Sequence, residues 1–180
     1  MKNRIHILGA SGSGTTTIGG AVAGQLGYAH FDSDSYFWAP SAEPFTVQRE
    51  RTQRAELLEK DLAANEKWVL SGSLADWGNA VIPYFDLVVF VTLPHEIRME
   101  RLKKREYERY GGAIFEGGVR YENSNAFLEW AAQYDDGGMD IRSLKSHEVW
   151  LKRVACPILR IVNNELSVSV SAVVNAAKTS

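Results

Sequence analysis

A lone cysteine cannot close a bridge within a chain, and Cys156 is the only one among these 180 residues. A disulfide framework and a cysteine-rich metal site are therefore excluded. Standing just before Pro157 and an apolar run, the thiol reads as packing. The four histidines are scattered without metal-ligand spacing, and His6, inside an apolar run, reads as a packed strand residue. No apolar run is long enough to span a bilayer, and no leader-like segment precedes the first strand pattern. A cytoplasmic chain with no membrane partner is expected. A surplus of one charge is missing too: 20 Lys and Arg face 22 Asp and Glu, a formal net charge of −2. Bulk charge gives nucleic acid no handle. No internal repeat or low-complexity tract is visible. What is present is an ordinary apolar share of 45 %, and a length that suits one domain with a real core.

The most informative stretch is Gly9-Ala10-Ser11-Gly12-Ser13-Gly14-Thr15-Thr16. It lies between an apolar strand pattern, Arg4 to Leu8, and a small-residue helix start, the context a phosphate-binding loop requires. Its fixed positions match Gly-x-x-x-x-Gly-Lys-[Ser/Thr] except for the lysine, where Thr15 stands. Glycines let successive backbone N–H groups point at one phosphate, and the following helix adds its positive end. Thr16 is placed to offer a hydroxyl to magnesium. The missing lysine removes the cation that would reach the outer phosphates. In the helix that follows, Thr16 to Leu26, Gly19, Gly20 and Gly24 each cost about 1 kcal/mol relative to Ala. They make sense where a helix packs closely on a sheet or lies near a ligand.

Strand and helix patterns then alternate. Ala29 to Asp32 is a second strand and Phe45 to Ala64 a helix. Trp68 to Gly72 and Phe85 to Val91 are two more strands, the latter apolar throughout its Leu87–Val91 part, as a strand covered on both faces should be. Pro94 opens a helix to about Tyr110, Ile158 to Val162 is a fifth strand, and Val168 to Lys178 closes the chain as a helix. Crossover helices between strands predict an α/β fold: a five-stranded parallel sheet between helical layers. The single domain, 1–180, carries an insertion at 105–154. Gly111-Gly112, Gly117-Gly118 and Gly137-Gly138 punctuate it, around short helices at Ser124 to Tyr134 and Leu144 to Val154. Glycine pairs can hinge a closing lid.

Ligands bind beyond the carboxyl ends of such strands. The first strand ends in the glycine loop, the second in Asp32-Ser33-Asp34, the third in Ser71-Gly72-Ser73. The third strand has no acid, so another carboxylate must help hold magnesium, and Asp32 is the nearer one. Asp34 suits a substrate hydroxyl, whose proton it could accept. Asp and Ser also simply form turns. Arg49, Arg51 and Arg54, with Gly72, face the expected acceptor side and suit an anion; Trp38, Phe45 and Trp77 could wall a pocket there. Arg101, Arg105, Arg120 and Arg142 are available to replace the absent lysine, since a guanidinium fork matches phosphate. Arg101 and Arg105 share a helix face.

The glycine loop, the Asp-x-Asp after strand two, Trp-Val-Leu-Ser-Gly-Ser, and the run Phe85 to Arg105 together resemble the nucleoside-monophosphate-kinase-like P-loop kinases. Within that group the likeness is to adenylate-kinase-related, topology-modulation-type proteins and to the shikimate- and gluconate-kinase branch. It covers most of the chain, while Tyr107 to Lys152 matches no lid of known substrate. The resemblance implies strand order 2-3-1-4-5, ATP as phosphoryl donor, and Mg2+. Gly9, Gly14 and Thr16 carry over directly, and Asp32 and Asp34 match the Asp-x-Asp of the shikimate and gluconate branch. Arg101 and Arg105 fall where the family begins its lid, and one of them would stack on adenine or approach the phosphates. The implied activity is transfer of phosphate to a small anionic acceptor: a nucleoside monophosphate, a carboxylic acid or a sugar. Thr15 keeps a second reading open, a regulatory protein that binds nucleotide without efficient transfer. A DNA-linked role, which the topology-modulation name suggests, has no support in the charge balance.

Overall fold

A computed structural model describes residues 1–75 and 77–179. Five parallel strands form one sheet: β1 (Arg4–Gly9), β2 (Ala29–Asp32), β3 (Trp68–Ser71), β4 (Leu87–Thr92) and β5 (Ile158–Val162), in the order β2-β3-β1-β4-β5. Among the described residues seven α-helices accompany them: α1 (Thr15–Leu26), α2 (Ser33–Phe37), α3 (Arg51–Ala63), α4 (His95–Tyr110), α5 (Tyr121–Ala132), α6 (Leu144–Leu151) and α7 (Leu166–Lys178). β1 is central, pairing Ile5 with Val69 on one side and with Leu87 on the other. The expected fold class and strand order are those observed.

Alternation along the strands builds a core on each face. Ile5 and Ile7 of β1 and Leu87, Val89 and Val91 of β4 meet Ile18 and Val22 of α1 and Val170, Val173 and Val174 of α7. Leu8, Val88 and Phe90 point the other way, toward Leu58 and Leu62 of α3 and Trp150 and Leu151 of α6. This two-sided burial is why β4 reads as a continuous apolar run. Cys156 and His6 are packing residues: Cys156 lies against the second core, and His6 is fully buried, stacked 4.9 Å from Phe85.

Local departures from the sequence reading have local causes. The helix expected from Phe45 begins only at Arg51. The segment before it is held extended by backbone bonds from Ala39 N–H to Val47 O and from Arg49 N–H to Phe37 O. Phe45 itself sits at φ 62°, outside any helix. Helix α2, unexpected from the pattern, starts because the Asp32 carboxylate accepts from the N–H of Asp34, a side-chain N-cap. A 3-10 turn at Asn79–Tyr84, another at Gly111–Ile114, were also unanticipated. Of the segment 105–154, α5 is tied to α4 by Ser124 Oγ donating to Glu106 at 2.9 Å, and α6 packs into the sheet core.

Candidate functional site

The glycine loop turns on Gly12 and Gly14, at φ 82° and 94°, conformations that L side chains rarely adopt. Each is also close-packed. A Cβ on Gly12 would lie 2.8 Å from the Arg98 carbonyl, and one on Gly14 would lie 2.5 Å from the Asn163 amide. Gly9 is pressed against β4, where a Cβ would meet Val91 O at 2.3 Å. Ala10 and Ser13 are buried, and Ser11 and Thr15 half-buried, so the loop is a rigid cradle and not a linker. Asn163, just past β5, braces it: its Nδ2 donates to Ser13 O at 2.8 Å, and its Oδ1 accepts from Ser169. The first turn of α1 directs unpaired N–H groups into the same space.

Thr16 Oγ1 donates to Asp32 Oδ2 at 2.7 Å. A hydroxyl and a carboxylate oxygen thus stand together at the loop's end, the hard oxygen donors that Mg2+ takes, and the residues fit that ion. The other Asp32 oxygen is the α2 cap. Behind them Ser71 Oγ bonds His30 Nε2 at 2.8 Å and donates to Thr15 O at 3.3 Å. Burial lowers the His30 pKa, which the Asp32 charge opposes. Gly19 is explained here, since its Cβ would fall 1.9 Å from Ser71 Oγ; Gly24 has open space around it.

Asp34, just past β2, is exposed to solvent, though protein surrounds its carboxyl on several sides. Burial, then the Asp32 charge, raises its carboxyl pKa, while Arg142, Arg105 and Arg109 pull it back. These three guanidiniums come from α4 and from the loop before α6. Burial lowers the pKa of Arg105 and of Arg142, and Asp34 opposes the shift in both. The Arg105 Nε is buried without a hydrogen-bond partner, and its guanidinium lies 5.6 Å over Phe127; that of Arg142 lies 5.3 Å over Trp130. Both guanidiniums thus lie against aromatic faces, and among the described residues neither has an ion-pair partner.

The remaining sequence-selected residues divide by what they touch. Arg101 lies beside the cradle, donating to Asn163 O at 3.5 Å, with Nη1 3.9 Å from the Cβ position of Gly14. Arg120 pairs across the cleft with Glu43 at 3.2 Å and stacks 4.4 Å over Tyr110. Arg49 holds the carbonyls of Tyr36 and Trp38, and Arg54 donates twice to Arg49 O while lying 4.1 Å over Phe37. Both are engaged with their own chain; Arg51 is exposed. A Cβ on Gly72, at φ 97°, would collide with Ser33 Oγ at 2.0 Å, so the residue is fixed by packing. Trp77 is in the core, and Trp38 meets Phe45 edge-on at 6.2 Å.

Sequence reasoning missed Arg109, Asn163 and a buried trio, Ser73, Tyr134 and His147. Arg109 follows Arg105 by one helical repeat, the argument already applied to Arg101 and Arg105. Asn163 ends β5, where the strand-end rule points. The trio had no local signal. No cluster of His, Cys, Asp and Glu suited to a metal occurs among the described residues, and no helix among them is long and apolar enough to cross a membrane.

Comparisons with known proteins bear on the family and the fold. The AAA domain family matches residues 5–126. The chain is 51 % identical over 161 residues to the uncharacterized protein YqaC of Bacillus subtilis, covering 89 % of each. It is 32 % identical over 114 residues to the cytidylate kinase of Archaeoglobus fulgidus, covering 57 % of this chain and 62 % of that one. Among solved structures, a shikimate kinase from Acinetobacter baumannii in complex with shikimate superposes with TM-score 0.56 at 18 % identity, over 97 % of this chain and 92 % of that one. A gluconokinase from Sinorhizobium meliloti gives 0.51 at 18 % identity, over 97 % and 91 %. At such identities these two structures speak for the fold.

Proposed function

Because the chain belongs to the AAA domain family of P-loop proteins, and its fold is that of the P-loop kinases, we propose that it is an ATP-dependent phosphotransferase acting on a small anionic acceptor. The observation that carries this reading is the glycine loop that ends in Thr16 bonded to Asp32 at 2.7 Å, with Asp34, on whose carboxyl the charges of Arg142, Arg105 and Arg109 bear, two residues farther on. A nucleotide phosphate would lie in the cradle from Gly9 to Thr16, with the base toward Arg101. Thr16 and Asp32 would hold Mg2+, which neutralises phosphate charge when bound. Asp34 would orient the acceptor hydroxyl and take its proton as the oxygen attacks the γ-phosphorus and ADP leaves. The arginines would bind the anionic acceptor and the charge developing on the transferred group. The cytidylate kinase relative and the shikimate kinase and gluconokinase neighbours support the reaction class without choosing the acceptor.

The test is ADP release from ATP with Mg2+ against panels of nucleoside monophosphates, hydroxylated carboxylic acids and sugars. An acceptor-dependent rate is expected. Tight ATP binding with no acceptor-stimulated turnover would instead favour the second reading, a nucleotide-binding regulatory protein, which rests on Thr15 in the lysine position.

A further inference from the structure

Asn163 stands one residue past β5 and is only 3 % exposed, and each of its polar groups meets a different element. Its N–H donates to Thr92 O, at the end of β4, at 3.0 Å. Its own carbonyl accepts from Arg101 Nη2 of α4 at 3.5 Å. In the side chain, Nδ2 donates to Ser13 O of the glycine loop at 2.8 Å, and Oδ1 accepts from Ser169 Oγ of α7 at 2.9 Å. Ser13 O can only accept, so the amide NH2 must face it, and the Ser169 hydroxyl then takes the amide oxygen. The roll of the side chain is fixed from both ends. Aspartate has the same shape but no donor for Ser13, and leucine has neither donor nor acceptor.

The carbonyl that Nδ2 holds belongs to the peptide joining Ser13 to Gly14. In a planar trans peptide the C=O and the following N–H point in opposite directions. Holding Ser13 O toward Asn163 therefore turns the Gly14 N–H away from β5, and among the described residues that N–H donates to no backbone carbonyl. Glycine leaves the dihedral angles on its side of this peptide loosely constrained, so the constraint has to come from outside the loop. We propose that Asn163 is a positioning residue of the phosphate cradle: by holding the Ser13–Gly14 peptide it aims the Gly14 N–H at the bound phosphate. Thr15 stands where a lysine would supply a cation, so phosphate binding rests on such N–H donors and their aim carries more of the affinity. The proposal rests on the nucleotide-binding part of the reading above, which the transferase and the regulatory alternatives share, and on no particular acceptor.

Calorimetry with Mg2+-ADP and with inorganic pyrophosphate, together with NMR of the Gly14 amide, tests this without any acceptor. Asn163→Leu keeps the number of side-chain heavy atoms and the neutral charge but removes the donor. Its affinity for both ligands should fall about 10-fold, as expected when a hydrogen bond to a charged group is misdirected. An equal loss for the two marks the phosphate side as the place of action. In the natural protein Mg2+-ADP should move the Gly14 N–H resonance downfield as it gains a phosphate acceptor, and in the variant that move should shrink. A merely structural role would lower the melting temperature and leave the Gly14 response intact. Should Asn163→Leu fail to fold, Ser169→Ala frees the roll of the amide while leaving Nδ2 in place. It should give a smaller loss of the same kind, on the order of 3-fold. Unchanged affinity with an unchanged Gly14 response in the folded variant overturns the proposal. So does a loss confined to ADP, which would put Asn163 at the base. If the natural protein binds neither ADP nor ATP, the nucleotide reading falls and this proposal with it. If it binds them but turns over no acceptor, only the transferase reading falls, and the calorimetry still decides the role of Asn163.

Discussion

Two residues show how conformation and charge are committed to the site. Gly14 combines a left-handed backbone with a Cβ direction blocked by Asn163 at 2.5 Å. From sequence, glycine there is needed so that phosphate can approach; the structure adds that the brace from β5 needs it as well. Gly14→Val should abolish ATP binding in calorimetry, with displacement of Asn163 as the local cause, and unchanged affinity would defeat the phosphate-cradle reading. The surroundings of Asp34 raise its carboxyl pKa, because desolvation and the Asp32 charge outweigh three arginines. A carboxyl whose folded pKa is raised binds more protons folded than unfolded, so its contribution to stability falls as pH rises from the ordinary carboxylate value through the raised one. Asp34→Asn keeps the neutral form at every pH. It should raise the melting temperature at pH 7 and lose that advantage below the ordinary carboxylate pKa, while transfer to acceptor collapses. A lower melting temperature at pH 7 would mean that the arginines, not burial, dominate. Such a trade of stability for function is expected where a charge is kept for a substrate.

Elements carry the same logic over longer stretches. Helix α1 holds three glycines that composition alone marks as costly, and the structure separates them by what each faces. Gly19 lets the helix touch Ser71 and His30, whereas Gly24 meets nothing within 4 Å. Gly24→Ala should therefore stabilise the protein by about 0.5–1 kcal/mol in urea unfolding. Gly19→Ala should destabilise it by about 1–3 kcal/mol, since the added methyl cannot fit without moving the sheet. Equal effects would remove the close-packing explanation. Across the cleft, the loop before α3 meets the segment before α5 through Glu43 and Arg120, while Arg109 lies 5.1 Å over Phe45. Glu43 is largely exposed, so this pair contributes about 0–1 kcal/mol to stability and can open readily. Its value would lie in keeping water out during transfer. Glu43→Gln should leave the melting temperature unchanged yet raise acceptor-independent ATP hydrolysis relative to transfer. A changed melting temperature with an unchanged ratio would make the contact purely structural.

At the scale of the molecule, the frame was legible because it is written in local periodicity. The buried run of β4, the glycine loop after β1 and the crossover helices pointed to a parallel sheet with its ligand end at the strand C-termini, while the strand order came only with the family resemblance. What was not legible was set by contacts between distant residues. The Phe45 segment is extended because it pairs with Phe37 and Ala39, and Arg49 and Arg54, which read as an anion cluster, are engaged with backbone carbonyls and Phe37. Ser73, Tyr134 and His147 come together only through tertiary folding. The same distinction bears on the missing lysine. Thr15 opens α1 with its carbonyl bonded to Ser71, so no cation comes from the loop itself, and the arginines stand at two depths. Arg101 lies by the cradle, where it would act on a bound nucleotide, while the charges of Arg105 and Arg142 bear on Asp34, where the proposed transfer would develop charge. Arg120 is already paired to Glu43. Interactions made only in the transition state lower turnover without weakening ground-state binding. Alanine at Arg105 or Arg142 should therefore reduce acceptor-dependent turnover, on the order of 10³-fold for the residue that meets the transferred phosphoryl group, with ATP affinity unchanged. Arg101→Ala should show the opposite split, weaker ATP binding with smaller loss of turnover at saturation. Thr15→Lys places an ammonium at the start of α1, pointing at the same phosphates. It should tighten ATP binding and partly restore the weaker of the two arginine variants. If all of these substitutions were silent in an active protein, the arginines would not be substituting for the lysine, and transfer would rest on the backbone cradle and magnesium.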